Sequence, residues 1–462
     1  MSSSPVIDVV QVMDRTRLSA LQKRIIAMCF AMAMLEGFDS QAMGYAAPSV
    51  AREFGLSPGA LSIVFSSGLL GMLIGSFVFG FAADRIGRRN VMIWCSLLIG
   101  VVTLLITVLG GTASALAILR FIAGLGMGGA ISTQIALTAE YTPARIRSTV
   151  IMVMTGSLGL GSFLGGLAAA ALIPSSGWRS IFVLGGVLPL VLAVWILLRL
   201  PDSIRFLVTA GRQVEALRLL AQVAPDSVDS GTTARLVLPE ERVRRSPVAA
   251  LFTDRRALGT VLVWTAGFMN MLAVYFLLSW LPVLFEQVGL SPQMAVTATA
   301  VFALGGFIGG VLLGLLIDRR GNTYRTLVAG YLLAAGSAVV ASVTAQMTPV
   351  LLIAIFLAGF GVIGCQGGIS AAAASMYPTS ARGTGVGWAV GVGRIGSIVG
   401  PTVGGSLIAA GLAASSIIAT AAVPVVLAAI AVTGMGVAAR RAAPDTREPE
   451  PSLPAGPVTG SA

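Results

Sequence analysis

The stretch GFAADRIGRR at residues 80–89 ends one long apolar run, and the similar stretch GLLIDRRGN at 314–322 ends another. The offset along the chain from Asp84 to Asp318 equals the offset from Gly87 to Gly321. A second echo, AEYTPARIRS at 139–148 and ASMYPTSARG at 374–383, follows at nearly the same offset. An offset of about half the chain length indicates two copies of one structural unit.

The sequence around these motifs is strongly apolar. Hydrophobic residues make up 56% of the chain, charged residues only 11%, and the mean hydropathy is +0.91. These values exclude a water-soluble fold, and a window of about 19 residues finds twelve candidate membrane helices. They lie near 25–50, 61–83, 91–111, 113–139, 149–172, 180–200, 257–284, 295–317, 326–345, 349–376, 384–411 and 415–438.

We therefore predict an all-α polytopic membrane protein whose twelve transmembrane helices form two six-helix repeats. The predicted parts are a cytoplasmic tail (1–24), an N-terminal bundle (25–200), a cytoplasmic central loop (201–256), a C-terminal bundle (257–438) and a disordered cytoplasmic tail (439–462). Within the loop, the spacing of Ile204, Leu207, Ala210 and Leu217 fits either an interfacial amphipathic helix or a solvated linker helix.

The distribution of basic residues sets the orientation. With the N-terminus inside, 26 of the 30 Lys and Arg residues lie in inner segments, and only Arg52 and Arg179 lie in outer loops. The positive-inside rule then places both termini in the cytoplasm. We read no removable signal peptide before the first helix.

The composition also limits the chemistry. The net charge is +11, but 29 of the 30 basic residues are arginines placed mostly beside apolar runs without interleaved aromatics, so we expect no nucleic-acid partner. The chain has no histidine, and its three cysteines lie singly in different apolar runs, so we expect no metal, no cofactor and no disulfide. Any proton must be carried by carboxylates.

Four charged residues lie away from the ends of predicted helices, where charge is costly and usually functional. At 1.5 Å per residue, Glu36 and Asp39 lie roughly 16 and 21 Å from the inner face, on one side of helix 1. Arg120 lies roughly 10 Å below the outer face, at the level of Asp39, so the two can pair. Such a pair either tunes a proton carrier or merely fixes helix packing.

Arg394 lies roughly 15 Å deep in helix 11, level with Glu36 but in the opposite half. No acid lies in helices 7–12 away from their ends, so its guanidinium needs an anion from elsewhere. A substrate carboxylate matches the planar guanidinium, and a bond across the cavity to Glu36 or Asp39 is the alternative. Further candidates for lining the cavity are Asn270, Tyr275, Gln366 and Trp388.

The chain resembles the major facilitator superfamily over nearly its whole length. The two loop motifs, RFIAGLGMGG at 120–129 and LPDSIRFL at 200–207 carry this resemblance. LEGFDSQAMGYAAP at 35–48 and GVGRIGSIVGPTVGG at 391–405 are similar to the aromatic acid/proton symporters, many of which carry Asp at the position of Glu36.

The resemblance implies a bacterial inner-membrane protein that imports benzoate-, hydroxybenzoate- or phenylpropanoate-like anions with protons. It also implies proton coupling by Glu36 and Asp39, with Arg120 tuning the acid, and gating by charged residues at the inner ends of the helices. The predicted gating residues are Asp84, Arg85, Arg88, Arg89, Glu140, Arg145, Arg147, Asp318 and Arg319.

The function predicted on these grounds is proton-coupled uptake of an aromatic carboxylate by alternating access, by a monomer in the lipid bilayer. A sugar or polyol porter and a drug efflux antiporter share similar loop motifs, but a sugar site would not want a midplane arginine. A membrane-bound enzyme lacks a nucleophile–base pair, and a sensor would need a larger signalling domain than 201–256.

Overall fold

The computed structural model describes residues 6–224, 234–238, 248–253, 256–344, 347–377 and 379–442. The helices among them are, in chain order, α1 (Val9–Arg15), α2 (Ala20–Phe54), α3 (Pro58–Ile86), α4 (Arg88–Leu109), α5 (Ala113–Tyr141), α6 (Ala144–Ser176), α7 (Arg179–Arg199), α8 (Ile204–Thr209), α9 (Gln213–Val223), α10 (Ala257–Gln287), α11 (Pro292–Arg320), α12 (Thr323–Val343), α13 (Thr348–Val362), α14 (Cys365–Met376), α15 (Thr379–Ala409), α16 (Ala414–Thr420) and α17 (Ala422–Ala442).

Eleven segments of the described chain are long and apolar enough to cross a membrane. The helices α13 and α14 together form one of them, and α16 and α17 form another. The remaining long helix is α15, which has 31 residues and packs along α10 and α3. Among the described residues the twelve long segments therefore follow the predicted order, six on each side of the central loop.

The same tight turn joins the first and second long helices of both repeats. Gly55 and Gly289 adopt left-handed backbone with φ of 61° and 97°, and glycine adopts this region without steric cost. Beyond these glycines Ser57 and Ser291 cap α3 and α11, and a proline follows each serine at the first helical position. The two glycines, and likewise the two serines, are as far apart along the chain as Asp84 and Asp318, so this turn also belongs to the repeat.

Glycines bring α3 and α5 into backbone contact. A Cβ at Gly71 or Gly75 would collide with carbonyl groups of α5, and one at Gly124 or Gly128 would collide with carbonyl groups of α3. Small residues at this spacing allow two membrane helices to approach closely. This contact fixes the rotation of α5, which carries Arg120.

The two halves meet at one end of the bundle. We call the end where α2 begins and α3 ends the terminal face, and the other end the opposite face. Near the opposite face, Ser62 donates to the carbonyl of Pro401 at 3.1 Å and Ser66 donates to that of Ile398 at 2.8 Å. An ion pair joins Arg52 at the end of α2 to a glutamate of α10. The opposite face is therefore closed.

Toward the terminal face the halves separate. Gly383, Gly387 and Gly391 lie on the face of α15 that also carries Ile398, because their spacing follows the helical repeat. A Cβ at any of these three glycines would meet no atom within 4 Å. The side of α15 that packs on α3 at the closed end of the bundle therefore borders open space at the other end, near the terminal face.

The segments outside the bundles pack on the N-terminal half, except for Val248–Leu251, which pack on α15 of the C-terminal half. Strand β1 (Val6–Asp8) pairs in parallel with β2 (Arg235–Val237), and a 3₁₀ turn covers Val248–Leu251. Of the predicted amphipathic residues, Ile204, Leu207 and Leu217 are buried in the protein core beneath α8 and α9, whereas Ala210 is exposed. The apolar face of this segment is covered by protein. Most of the predicted C-terminal tail (443–462) lies outside the described residues.

Candidate functional site

The expected pairing of Asp39 and Arg120 is present in the middle of the N-terminal half. Arg120 Nη1 lies 3.0 Å from Asp39 Oδ2 and 3.2 Å from the backbone oxygen of Asp39. The hydroxyl of Thr103 on α4 donates to Asp39 Oδ1 at 2.9 Å. Asp39 is 0% exposed and Arg120 is 4% exposed. Both carboxylate oxygens of Asp39 therefore accept from donors, one of them a permanent cation.

Glu36 precedes Asp39 on α2, one helical turn toward the terminal face, and has a different partner. Gln134 Nε2 donates to Glu36 Oε2 at 2.9 Å, and both side chains are 1% exposed. Gln134 was not among the predicted site residues. It follows Arg120 on α5 after nearly a whole number of helical turns, so both face helix α2.

Arg394 is half-buried on α15, one turn from Ile398 toward the terminal face. Among the described residues no carboxylate lies within 4 Å of its guanidinium. Its charge interacts electrostatically with Glu36 across the gap between the halves. The direct bond between Arg394 and Glu36, which was the alternative partner predicted for Arg394, is not formed in this conformation.

A small cavity lies next to Arg120 between the two halves. Helices α2, α3, α5 and α10 line it with Ser40, Gln41, Met43, Gly44, Phe65, Gly68, Leu69, Met72, Arg120, Met127, Tyr275 and Ser279. Tyr275 was predicted to line such a cavity. Gln41 was not, although it bridges the halves by donating to the carbonyl of Leu278 at 2.6 Å. The free volume of the cavity is about 20 Å³, which is room for a water-sized group, so in this conformation it is too small for an aromatic ring.

Three other predicted lining residues lie outside this cavity. Asn270 is 0% exposed and accepts from the hydroxyl of Tyr331 at 3.1 Å, within the core of the C-terminal half. Trp388 is 45% exposed and stacks on Trp264 with ring centroids 5.7 Å apart. Gln366 is exposed, just after the break between α13 and α14.

The predicted gating residues of the N-terminal half lie together at the terminal face. Arg88 forms an ion pair with Glu140, and the hydroxyl of Ser203 donates to Glu140 at 2.6 Å. Asp84 lies 3.9 Å from Arg88, and its side chain is 76% exposed. This network links α3, α4, α5 and the central loop, and within the described part of the chain it includes no residue of the C-terminal half.

The other basic residues of this set also bind within the N-terminal half. Arg85 stacks on Phe81, Arg89 donates to the carbonyl of Leu197 at 2.8 Å, Arg145 donates to that of Thr16 at 3.3 Å, and Arg147 pairs with Asp14 at 3.2 Å. In the C-terminal half, Asp318 and Arg319 are exposed and form no ion pair with a described residue.

The central loop extends this charged network away from the membrane helices. Arg212 lies 3.2 Å from Asp202 and also bonds Glu215. The hydrogen bonds from Arg212 hold the pKa of the Glu215 carboxyl below its ordinary value. The pair is exposed, so it orients the start of α9 rather than forming a site.

Comparisons with known proteins agree with this architecture. The model of the Major Facilitator Superfamily matches residues 29–401 and, again, 263–459. The chain is 35% identical to a gallate transporter of Pseudomonas putida, over 96% of this chain and 98% of that protein. It is 36% identical to the 4-hydroxybenzoate transporter PcaK of Pseudomonas aeruginosa (93% and 96% covered) and 33% identical to a 3-(3-hydroxy-phenyl)propionate transporter of Escherichia coli (88% and 92%).

Solved structures show the same fold. The xylose transporter XylE from E. coli, in a partially occluded inward-open conformation, superposes with a TM-score of 0.69 at 18% identity, over 89% of this chain and 97% of that one. A bacterial homologue of the human lysosomal transporter Spinster, in an inward-facing conformation, gives 0.65 at 19% identity (91% and 97%). The predicted twelve-helix architecture of two repeats is confirmed.

Proposed function

Because the chain belongs to the major facilitator superfamily, we propose that it is a multi-pass inner-membrane symporter that imports an aromatic monocarboxylate together with a proton. The observation that carries this proposal is Arg394, a half-buried guanidinium at the interface of the halves with no carboxylate within 4 Å among the described residues. The matched relatives are named for gallate, 4-hydroxybenzoate and hydroxyphenylpropionate, which are all aromatic acids.

The terminal face is the cytoplasmic side in this proposal, because 26 of the 30 basic residues belong to its segments. Both termini are then cytoplasmic, and the closed opposite face is the outer gate. The conformation described above is inward-facing. Transport requires the bundles 25–200 and 257–438 to rock about the cavity until the outer gate opens and the inner one closes.

Arg394 binds the substrate carboxylate. The other deep guanidinium, Arg120, is already paired with Asp39, so it does not need an anion. A guanidinium binds a carboxylate by two parallel hydrogen bonds, which fixes the orientation of the ring. The ring then requires the cavity beside Arg120 to widen from its volume of about 20 Å³. Its lining includes Phe65, Met72 and Tyr275 as contacts for a ring, and Ser40 and Gln41 as partners for ring hydroxyls.

One chain supplies both halves of this site, so we propose that the monomer is the complete transport unit. The bound anion neutralises Arg394, and the proton neutralises one of the acids of α2. Substrate and proton together therefore favour the occluded state more than either alone, which is the requirement for coupling.

The test is uptake into proteoliposomes with an imposed pH gradient, acid outside. We expect accumulation of 4-hydroxybenzoate or gallate and none of xylose. Arg394→Lys should weaken binding of the acid about 10–150-fold. The lysine ammonium is a point charge that cannot form the two parallel hydrogen bonds of the planar guanidinium, and a charge-assisted contact contributes about 1.5–3 kcal/mol.

Arg179→Lys is the matched control, because Arg179 is an exposed arginine outside the cavity whose ion pair with Glu53 lies within the N-terminal half. Normal binding of the acid by Arg394→Lys would refute the anion site. Accumulation of xylose, or expulsion of the acid against the expected direction, would favour a sugar porter or an efflux antiporter instead.

A further inference from the structure

The contact between α3 and α15 at the outer gate has a definite register. Ser62 of α3 donates to the carbonyl of Pro401 at 3.1 Å. One turn toward the terminal face, Ser66 donates to the carbonyl of Ile398 at 2.8 Å, and its hydroxyl lies 3.2 Å from that of Thr402. A step forward along α3 is therefore a step back along α15, and the two helices run antiparallel through this contact.

The same register, continued toward the terminal face, brings a phenylalanine of α3 to two glycines of α15. Phe77 lies about three helical turns beyond Ser66, and Gly387 lies the same number of residues before Ile398. Gly391 is one turn from Gly387 on the same face of α15. Because the separation is close to a whole number of turns on both helices, these residues lie on the faces that already touch at the outer gate.

Both surfaces are open in the present conformation. Phe77 is 70% exposed. A Cβ at Gly387 or Gly391 would meet no described atom within 4 Å, so Phe77 does not touch them. Two glycines one turn apart leave a hollow on a helix, and a large side chain of a facing helix can fill it. This hollow lies next to Arg394, which follows Gly391 by one turn.

We propose that Phe77 inserts between Gly387 and Gly391 when the inner side closes, and that this contact is an apolar seal of the inner gate. The inference rests on the proposed function, since it takes the present conformation as inward-facing. The seal lies about 10 Å nearer the membrane centre than Asp84, so it is separate from the charged residues of the terminal face. With the phenyl ring in place, cytoplasmic water no longer reaches Arg394 while the outer gate is open.

The second contact between the halves already shows this packing. Helices α6 and α11 are the repeat counterparts of α15 and α3, and they pack on each other. Phe307 of α11 lies against Gly156 and Gly159 of α6, with side-chain atoms 3.5 and 3.2 Å from the positions of their missing Cβ atoms. The counterpart of Phe307 in α3 is Leu73, one turn before Phe77. Aromatic packing on glycine is thus present at one contact and available, one turn further along, at the other.

Val78 provides a comparison on the same helix. It is 55% exposed, which is close to the exposure of Phe77. One residue along a helix is a rotation of about 100°, so Val78 points away from the face that carries Ser62 and Ser66. Closure of the inner side should cover Phe77 and leave Val78 exposed.

The experiment is disulfide trapping of the full-length protein in membrane vesicles. The three native cysteines are all buried, so a membrane-permeant oxidant acts on an introduced pair. We expect Phe77→Cys/Gly387→Cys to form a disulfide, which requires the two Cα atoms to come within about 7 Å. The halves should then stay joined after cleavage at a protease site inserted in the central loop. Counterflow of 4-hydroxybenzoate should be lost on oxidation and return on reduction. Val78→Cys/Gly387→Cys is the matched control and should remain reduced.

An exchange of side-chain size tests the same contact without oxidation. Gly387→Leu enters open space in the present conformation, so the fold should tolerate it. It should slow counterflow roughly tenfold or more, because the hollow is filled and the inner side cannot close. Phe77→Ala/Gly387→Leu should recover part of the rate, since loss of the ring makes room for the leucine. Val78→Ala/Gly387→Leu should recover none.

A Phe77→Cys/Gly387→Cys pair that stays reduced would overturn the inference, as would a control pair that is oxidised to the same extent. Equal recovery of counterflow by the two size-exchange variants would also overturn it. If the Phe77→Cys/Gly387→Cys disulfide forms in a protein whose wild type transports no aromatic acid, the proposed function is refuted and the assignment of the seal stands.

Discussion

We expect the free energy of unfolding to fall strongly when only one partner of the Asp39–Arg120 ion pair is replaced, and to change little when both partners are replaced. Arg120→Met replaces a 4% exposed guanidinium by a side chain of similar length and leaves the fully buried Asp39 carboxylate with Thr103 as its donor. Removal of one partner of a buried pair costs about 3–5 kcal/mol, since the other charge stays uncompensated. Asp39→Asn strands Arg120 in the same way.

The double variant Asp39→Asn/Arg120→Met contains no stranded charge. We expect its free energy of unfolding to lie within about 1 kcal/mol of wild type, because a buried pair and its neutral replacement are often equally stable. The double-mutant cycle should therefore give a coupling energy of about 3 kcal/mol or more. The assay is reversible unfolding in mixed micelles of detergent and dodecyl sulfate, followed by far-UV circular dichroism.

Arg52→Met is the matched control, because its ion pair with Glu286 is 58% exposed on the arginine side and should contribute only about 0.2–1 kcal/mol. Additive single effects, or an Arg120→Met loss as small as that of the control, would refute the reasoning. The double variant also bears on mechanism. If Asp39 is a fixed charge, the double variant should retain gradient-driven accumulation.

Three further outcomes are expected. Arg52→Glu should open the outer gate by placing two acids together, and the exchange Arg52→Glu/Glu286→Arg should close it again. The measurement is the rate of thiol labelling at a cysteine introduced beside the gate, and equal labelling rates in all forms would contradict this. Asp84→Asn should slow turnover more than it weakens equilibrium binding, since the exposed Asp84 is available to close the inner gate; lost binding with fast exchange would contradict this role. Asp14→Asn should increase hydrogen exchange in the N-terminal segment by removing its ion pair with Arg147, and unchanged exchange would show that the apolar contacts of that segment are sufficient.

Much of the site could be predicted from sequence because charges inside apolar helices are conspicuous. A rise per residue and a direction for each helix were enough to bring Asp39 to the level of Arg120, where the ion pair is found. The repeat motif predicted the arrangement of the helices in two halves, but it did not predict the shared turn at Gly55 and Gly289.

Uncharged polar residues were harder to assign. Gln134 and Thr103 contact the two acids, but nothing in their own positions distinguishes them from other polar residues in membrane helices. For Gln134 the available signal was its spacing from Arg120 on one face of α5. Asn270 was predicted to line the cavity, but side-chain packing turns it toward Tyr331. The periodicity of a helix does not indicate which neighbouring side chain a polar group will contact.

The ion pair at the outer gate also bears on the history of the chain. Arg52 and Glu286 have the same offset as the two acids of the loop motif, so they occupy one position in the two repeats, and they meet across the axis that relates the halves. In a dimer of identical six-helix ancestors this position would have faced its own copy, arginine against arginine or glutamate against glutamate. The attractive pair could arise only after the two copies had diverged in sequence. From then on each half was matched to its sibling, and reassembly of two identical halves became electrostatically unfavourable at this point.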